Sequence, residues 1–144
     1  MGKPVVLRSR GSFRTEVEAG PHQWVLDEPV DAGGGGEGPT PYDMLAAALG
    51  SCTAMTLHFY AKREKLPLEG VDLSVTHDRQ NAKDCSDCST QNGYIHRFRV
   101  EIQLLGPLDV AQRAKLLTIA ARCPVAKTLQ SEIRIEEVLA TAPI

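Results

Sequence analysis

Thr40-Pro41-Tyr42-Asp43-Met44-Leu45-Ala46-Ala47-Ala48-Leu49-Gly50-Ser51-Cys52-Thr53-Ala54-Met55-Thr56-Leu57 is the stretch around which the chain is organised. It opens as a helix should. Thr40 can cap, Pro41 suits the first helical position, and the Asp43 carboxylate falls at the positive end of the helix dipole. The spacing predicts a helix running to about Glu64, where Lys62-Arg63-Glu64-Lys65 and Pro67 end it. The helix is apolar nearly all round, and its Ala and Gly residues allow close approach of neighbours. Such a helix belongs in the middle of a fold, covered on several sides. A single chain has few elements with which to cover it, so a partner subunit is expected.

Towards the amino terminus the pattern changes to period two. Val5-Val6-Leu7 is a short apolar strand, and Phe13 to Ala19 alternates apolar with polar. Gly20-Pro21 marks a turn, after which Gln23 to Asp27 returns as the second arm of a hairpin. Asp31-Ala32-Gly33-Gly34-Gly35-Gly36-Glu37-Gly38 follows as a flexible connector. It is not a phosphate loop, because no Gly-Lys-Ser/Thr follows and its own charge is negative. Beyond the helix, Val71 to His77 alternates as a strand, and Asp78 to Gly93 is polar and turn-rich. Tyr94 to Leu105 alternates again and should pair with the preceding strand. Asp109 caps a further helix with Gln112 at the capping-box position. Leu116, Ile119, Ala120 and Cys123 share one face of it, and Pro124 breaks or restarts it. Ile133 to Val138 closes the chain as a last strand. Strands, long helix, strand pair, helix and strand make an α+β fold.

The chain has 144 residues, with 16 Lys and Arg against 18 Asp and Glu, for a formal charge of −2. That length fits one domain, residues 1–144, able to bury about 70% of its unfolded surface without covalent staples. Its charge balance gives no footprint for nucleic acid, and no polybasic segment points to a membrane surface. The uncharged run falls short of a membrane span. Met1 to Arg8 lacks the apolar core of an export signal, so a reducing cytoplasmic location is expected. There, cysteines at distinctive positions lean towards redox or metal chemistry.

Four cysteines are present. Cys52 lies mid-helix among small residues, where burial alone raises a thiol pKa, and it reads either as a nucleophile activated from elsewhere or as a small core hydrophobe. Cys123 precedes Pro124 and a short helical run, so backbone N–H groups can favour its thiolate, with Arg122 and Lys127 close by in sequence. Local chemistry therefore points to Cys123 as the more activated thiol. Cys85 and Cys88 form a C-x-x-C in a polar loop. They read as surface cysteines without a required role, as half of a zinc site completed by His77 and His96, or as a redox dithiol or auxiliary disulfide. His22 and His58 have no evident partner and read as structural, while Trp24 and Phe98 read as core.

The stretch from Gly38 to Leu57, together with Arg122-Cys123-Pro124-Val125, resembles the OsmC-like superfamily of osmotically inducible and organic hydroperoxide resistance proteins. The resemblance implies an OsmC-like fold, with antiparallel sheets and long central helices in an intertwined homodimer. It also implies a thiol peroxidase for small organic hydroperoxides. On that basis Cys52 is oxidised to a sulfenic acid and Cys123 resolves it as a disulfide, which an external dithiol reduces. No cofactor, metal, nucleic acid or membrane is implied. Two features depart from the peroxidases of that family. The activating glutamate position falls on Tyr42, with Asp43 one residue on, and the activating arginine could be Arg8, Arg10 or Arg14. Those departures, and the extra C-x-x-C, leave as the alternative an OsmC-like ligand- or metal-binding dimer with little peroxidase activity.

Overall fold

In the computed structural model, which describes residues 2–144, β1 (Val6–Ser9), β2 (Thr15–Ala19) and β3 (His22–Leu26) form an antiparallel sheet. The expected hairpin forms, with Trp24 opposite Val17 and the positive φ of Gly20 turning the chain. The glycine run that follows is not a free connector. The buried Asp27 carboxylate accepts hydrogen bonds from the backbone N–H groups of Glu28, Gly35 and Glu37, at 2.9, 3.0 and 3.2 Å. Gly34 sits so close to the Glu28 carbonyl that a Cβ there would collide with it. The glycines therefore let the backbone fold tightly around one carboxylate, a role that composition alone had not signalled.

α1 spans Pro41–Glu64, as its start and stop signals predict. Thr40 and Asp43 cap each other: the Asp43 carboxylate accepts from the Thr40 N–H (2.9 Å) and hydroxyl (2.8 Å), and Thr40 Oγ1 accepts from the Asp43 N–H (3.2 Å). This reciprocal cap satisfies orphan donors at the helix start. Length and composition would also allow α1 to cross a membrane. Its buried residues, however, recur every four positions at Leu49, Thr53, Leu57 and Ala61, the stripe of a helix packed against a core.

β4 (Gly70–Asn81) and β5 (Tyr94–Leu105) pair antiparallel along their full lengths. β4 thus runs four residues past His77, through a segment whose composition predicts a loop. Cross-strand contacts hold this polar extension. Arg97 donates to both carboxylate oxygens of Asp78 at 3.1 and 2.7 Å, and Arg79 lies over the Tyr94 ring. α1 packs against the apolar face of the ribbon at Gly50, where a Cβ would come within 3.1 Å of the Val75 methyl. α2 (Val110–Ala120) starts with the expected Asp109/Gln112 capping box. It contributes Leu116, Ile119 and Ala120 to a core with Leu57, Ala61 and Leu108, flanked by Val71, Ile102 and Leu104. Pro124 restarts the chain as α3 (Pro124–Leu129), with Cys123 as its N-cap residue.

The closing strand expected at Ile133–Val138 does not form. Ile135, Val138 and Leu139 are 81%, 88% and 96% exposed. An alternating segment becomes a strand only where another strand accepts its hydrogen bonds, and none in the described chain pairs with it. The described chain divides into two compact units, one of residues 2–45 with Arg134–Ile144, the other Ala46–Ile133.

Candidate redox site

Cys52 and Cys123, 71 positions apart in sequence, meet where the Cys123 thiol reaches the α1 turn that carries Cys52, 3.9 Å from the Leu49 carbonyl oxygen, and each thiol shifts the ionisation of the other. α1 supplies Cys52 from the turn that also carries Leu49 and Thr53. The α2–α3 corner supplies Cys123, because the last turn of α2 buries Ile119 and Ala120 and Pro124 forces a new helix to begin. Cys123 is fully buried, whereas Cys52 is half-buried.

The environments of the two sulfurs pull in opposite directions. Burial pushes the Cys123 thiol up. Hydrogen bonds from the Ala126 N–H, the Cys52 thiol, the Thr53 hydroxyl and the Val125 N–H outweigh it and hold Cys123 below the ordinary cysteine value. For Cys52, the Val125 N–H pulls downward. Burial, donation of its own proton towards Cys123 and the charge on Cys123 hold it above the ordinary value. Ionisation is thus favoured at Cys123 over Cys52. The short α3 start supplies backbone donors as its position after Cys123 suggests. These donors, the Cys52 thiol and Thr53, rather than Arg122 or Lys127, make the largest stabilising contributions.

Thr53 has a second role. Its hydroxyl donates to the Leu49 carbonyl at 2.9 Å, and the Cys123 thiol lies 3.9 Å from the same oxygen. A hydroxyl carries one proton, so its bond to Leu49 competes with the support it gives a Cys123 thiolate. Thr53 is the residue that the sequence alone did not single out. Its signal was its place one residue after Cys52, on the buried stripe of α1.

The Asp43 carboxylate is committed to the helix cap, and its Thr40 hydrogen bonds hold its pKa below the usual value. Arg8 pairs with Glu18 at 3.1 Å, Arg10 donates to the Ser9 carbonyl at 2.9 Å, and Arg14 pairs with Glu16 and Glu37 at 2.8 and 2.7 Å. His22 and His58 are exposed. Cys85 and Cys88 are joined as a disulfide. His77 and His96 do not complete a zinc site with them. The two imidazoles instead face each other, with Nε2 of His77 2.9 Å from Nδ1 of His96, beside Phe98.

The family model described as OsmC-like protein matches residues 34–138. No curated protein matches the chain. Among solved structures, the chain is similar to a putative osmotic stress induced and detoxification response protein from Psychrobacter arcticus. Identity is 25% over 89% of each chain, with a TM-score of 0.69. An OsmC-like protein from Mycoplasma pneumoniae is 18% identical over 88% of this chain and 86% of its own, with a TM-score of 0.70. An organic hydroperoxide resistance protein from Legionella pneumophila, described as a predicted redox protein, is 18% identical over 89% and 90%, with a TM-score of 0.65. The last two likenesses bear on the fold alone.

Proposed function

Because the chain belongs to the OsmC-like family, we propose that it is a cysteine-based peroxidase that reduces small organic hydroperoxides with electrons from an external dithiol. The observation that carries this reading is a half-buried Cys52 on the α1 turn against which the buried Cys123 sulfur packs, with the two thiols shifting each other's ionisation. A peroxide must reach the sulfur that attacks it, which favours the half-buried Cys52 over the fully enclosed Cys123. Because its surroundings favour a thiolate more than those of Cys52 do, Cys123 is the group placed to take the Cys52 proton as the peroxide arrives. The Cys52 thiolate then attacks the distal peroxide oxygen and the O–O bond breaks. The distal oxygen stays on sulfur with its hydrogen, making Cys52 a sulfenic acid, and the departing alkoxide takes a proton from solvent to leave as an alcohol. Cys123 next attacks the Cys52 sulfur, releasing water and closing a Cys52–Cys123 disulfide. An external dithiol returns both thiols by exchange. Hydroperoxide and dithiol thus become alcohol, water and disulfide, with no cofactor required.

A homodimer in the cytoplasm is the setting we propose. Met55 and Phe59 on α1 are 69% and 71% exposed in the single chain, and a second copy would cover such residues. Sedimentation of the reduced protein tests this: a dimer is expected, and a concentration-independent monomer would contradict it. The peroxidase reading is tested by dithiol-dependent loss of an alkyl hydroperoxide. Turnover is expected in the native chain and absent in Cys52→Ser; equal, slow consumption by both would exclude it. One observation favours the alternative of a binding dimer with little turnover. Tyr42 occupies the position corresponding to the family glutamate, and neighbouring Asp43 is held by the cap. Equal, slow consumption is the outcome that alternative predicts.

A further inference from the structure

The Cys85–Cys88 loop lies outside the chemistry proposed above, yet it has a built geometry. β4 ends at Asn81, whose side chain accepts from the Lys83 N–H at 3.0 Å. The Ala82 N–H is anchored on the Gly93 carbonyl at 2.8 Å. A single 3-10 turn, Ala82–Asp84, then delivers Cys85, whose N–H returns to the Ala82 carbonyl at 3.2 Å. Ser86-Asp87 turns the chain so that Cys88 faces Cys85, with Cα atoms 5.5 Å apart. The Asp87 side chain folds back into the same space, its Oδ1 3.4 Å from the Cys85 sulfur. Two sulfurs and one carboxylate oxygen thus lie within 4.8 Å of one another.

We propose that this loop, once its disulfide is reduced, is a redox-gated zinc site formed by Cys85, Asp87 and Cys88. The donor set decides the metal class. Two thiolates are too soft for magnesium or calcium, while a carboxylate beside them suits zinc better than Cu(I). The geometry agrees. With Zn–S near 2.3 Å and Zn–O near 2.1 Å, a tetrahedral ion needs sulfurs about 3.8 Å apart and each sulfur about 3.6 Å from the oxygen. The sulfur–carboxylate separation of 3.4 Å is already close to this. Opening the S–S bond is the main adjustment required. A water takes the fourth position, and the exposure of Ser86 and Asp87 leaves the loop open to it.

The electron balance is closed at each step. An external dithiol reduces the Cys85–Cys88 disulfide to two thiols and is itself oxidised to a disulfide. Zinc binding then displaces two protons, one from each sulfur. A hydroperoxide reverses the state: the two thiolates lose two electrons and rejoin as a disulfide, and zinc is released. The peroxide takes up those electrons and two protons to give alcohol and water. Nothing in this requires Cys52 or Cys123, so the site stands or falls independently of the peroxidase reading.

The test is metal analysis of the full-length protein reduced with a phosphine, exposed to Zn2+ and desalted, beside an oxidised sample. One zinc per chain is expected in the reduced protein and in a reduced Cys52→Ser/Cys123→Ser variant. None is expected in the oxidised protein or in reduced Cys85→Ser/Cys88→Ser. Competition with a chromophoric chelator should show Asp87→Ala binding at least about tenfold more weakly, since loss of even an outer partner costs that much. The oxidised native chain serves as the folded, zinc-free control should the double variant misfold. Absence of zinc from the reduced native chain, equal zinc in both redox states, or zinc retained by Cys85→Ser/Cys88→Ser would each overturn the proposal.

Discussion

Replacing Thr53 with Val removes one hydroxyl from the redox site while nearly preserving side-chain volume. Thr53 is buried, and its proton has two acceptors, the Leu49 carbonyl oxygen and the Cys123 sulfur. When Cys123 is protonated, the hydroxyl serves Leu49 and its loss from the sulfur costs nothing. When Cys123 is ionised, the hydroxyl is a donor to a buried charge, an interaction worth about 1.5–3 kcal/mol. The Ala126 and Val125 N–H groups and the Cys52 thiol remain, so the smaller figure is the better guide. At 1.36 kcal/mol per tenfold, the thiolate population at a fixed, moderately acid pH should fall about tenfold. The assay is the ultraviolet thiolate absorbance of the reduced protein as pH is raised, in a Cys85→Ser/Cys88→Ser background. The first titration should move to higher pH in Thr53→Val, at unchanged total amplitude. Superposable titrations of parent and variant would refute Thr53 as a donor to Cys123.

Three further outcomes are expected. Cys123→Ser should stop the reaction at the Cys52 sulfenic acid, trapped by a carbon-acid probe and detected by mass. Absence of the adduct after treatment with hydroperoxide would count against the order of attack. Leu116→Ala, at a fully buried core position, should cost about 2–5 kcal/mol in denaturant unfolding, and a loss below about 1 kcal/mol would mean that the core described around α2 is wrong. For Asp27, burial raises the pKa, but the N–H groups of Glu37, Glu28 and Gly35 lower it further, leaving a net depression. A depressed carboxylate contributes stability above its unfolded pKa and loses it as pH falls through the folded value. The stability gap between native protein and Asp27→Asn should therefore be full near neutrality and close in acid. A pH-independent gap in denaturant midpoints would contradict this.

Much of the architecture was legible in the sequence because its signals are local. Thr40, Pro41 and Asp43 mark the start of α1, and Asp109 with Gln112 marks that of α2. The misses all depend on partners distant along the chain. Asp78 to Asn81 has poor strand composition, and only the facing residues Tyr94 to Arg97 make it a strand. Ile133 to Val138 has good strand composition and no partner strand in the described chain. Asp27 organises a glycine run eight to ten residues away. At the redox site, the favoured ionisation of Cys123 was readable from Pro124 and the helix start. Its contact with Cys52 was implied by family resemblance alone, since nothing in either local sequence specifies the other. Thr53 acquired meaning only once that contact placed it beside a sulfur.

The central claim is that Cys52 and Cys123 act as one redox couple. Its most direct test is to treat the reduced protein with one equivalent of an organic hydroperoxide, block free thiols and map disulfides by mass. The account predicts a peptide pair joined through Cys52 and Cys123, formed stoichiometrically and reversed by dithiol. Peroxide-treated protein in which both cysteines remain fully alkylated would contradict it, whatever the state of Cys85 and Cys88.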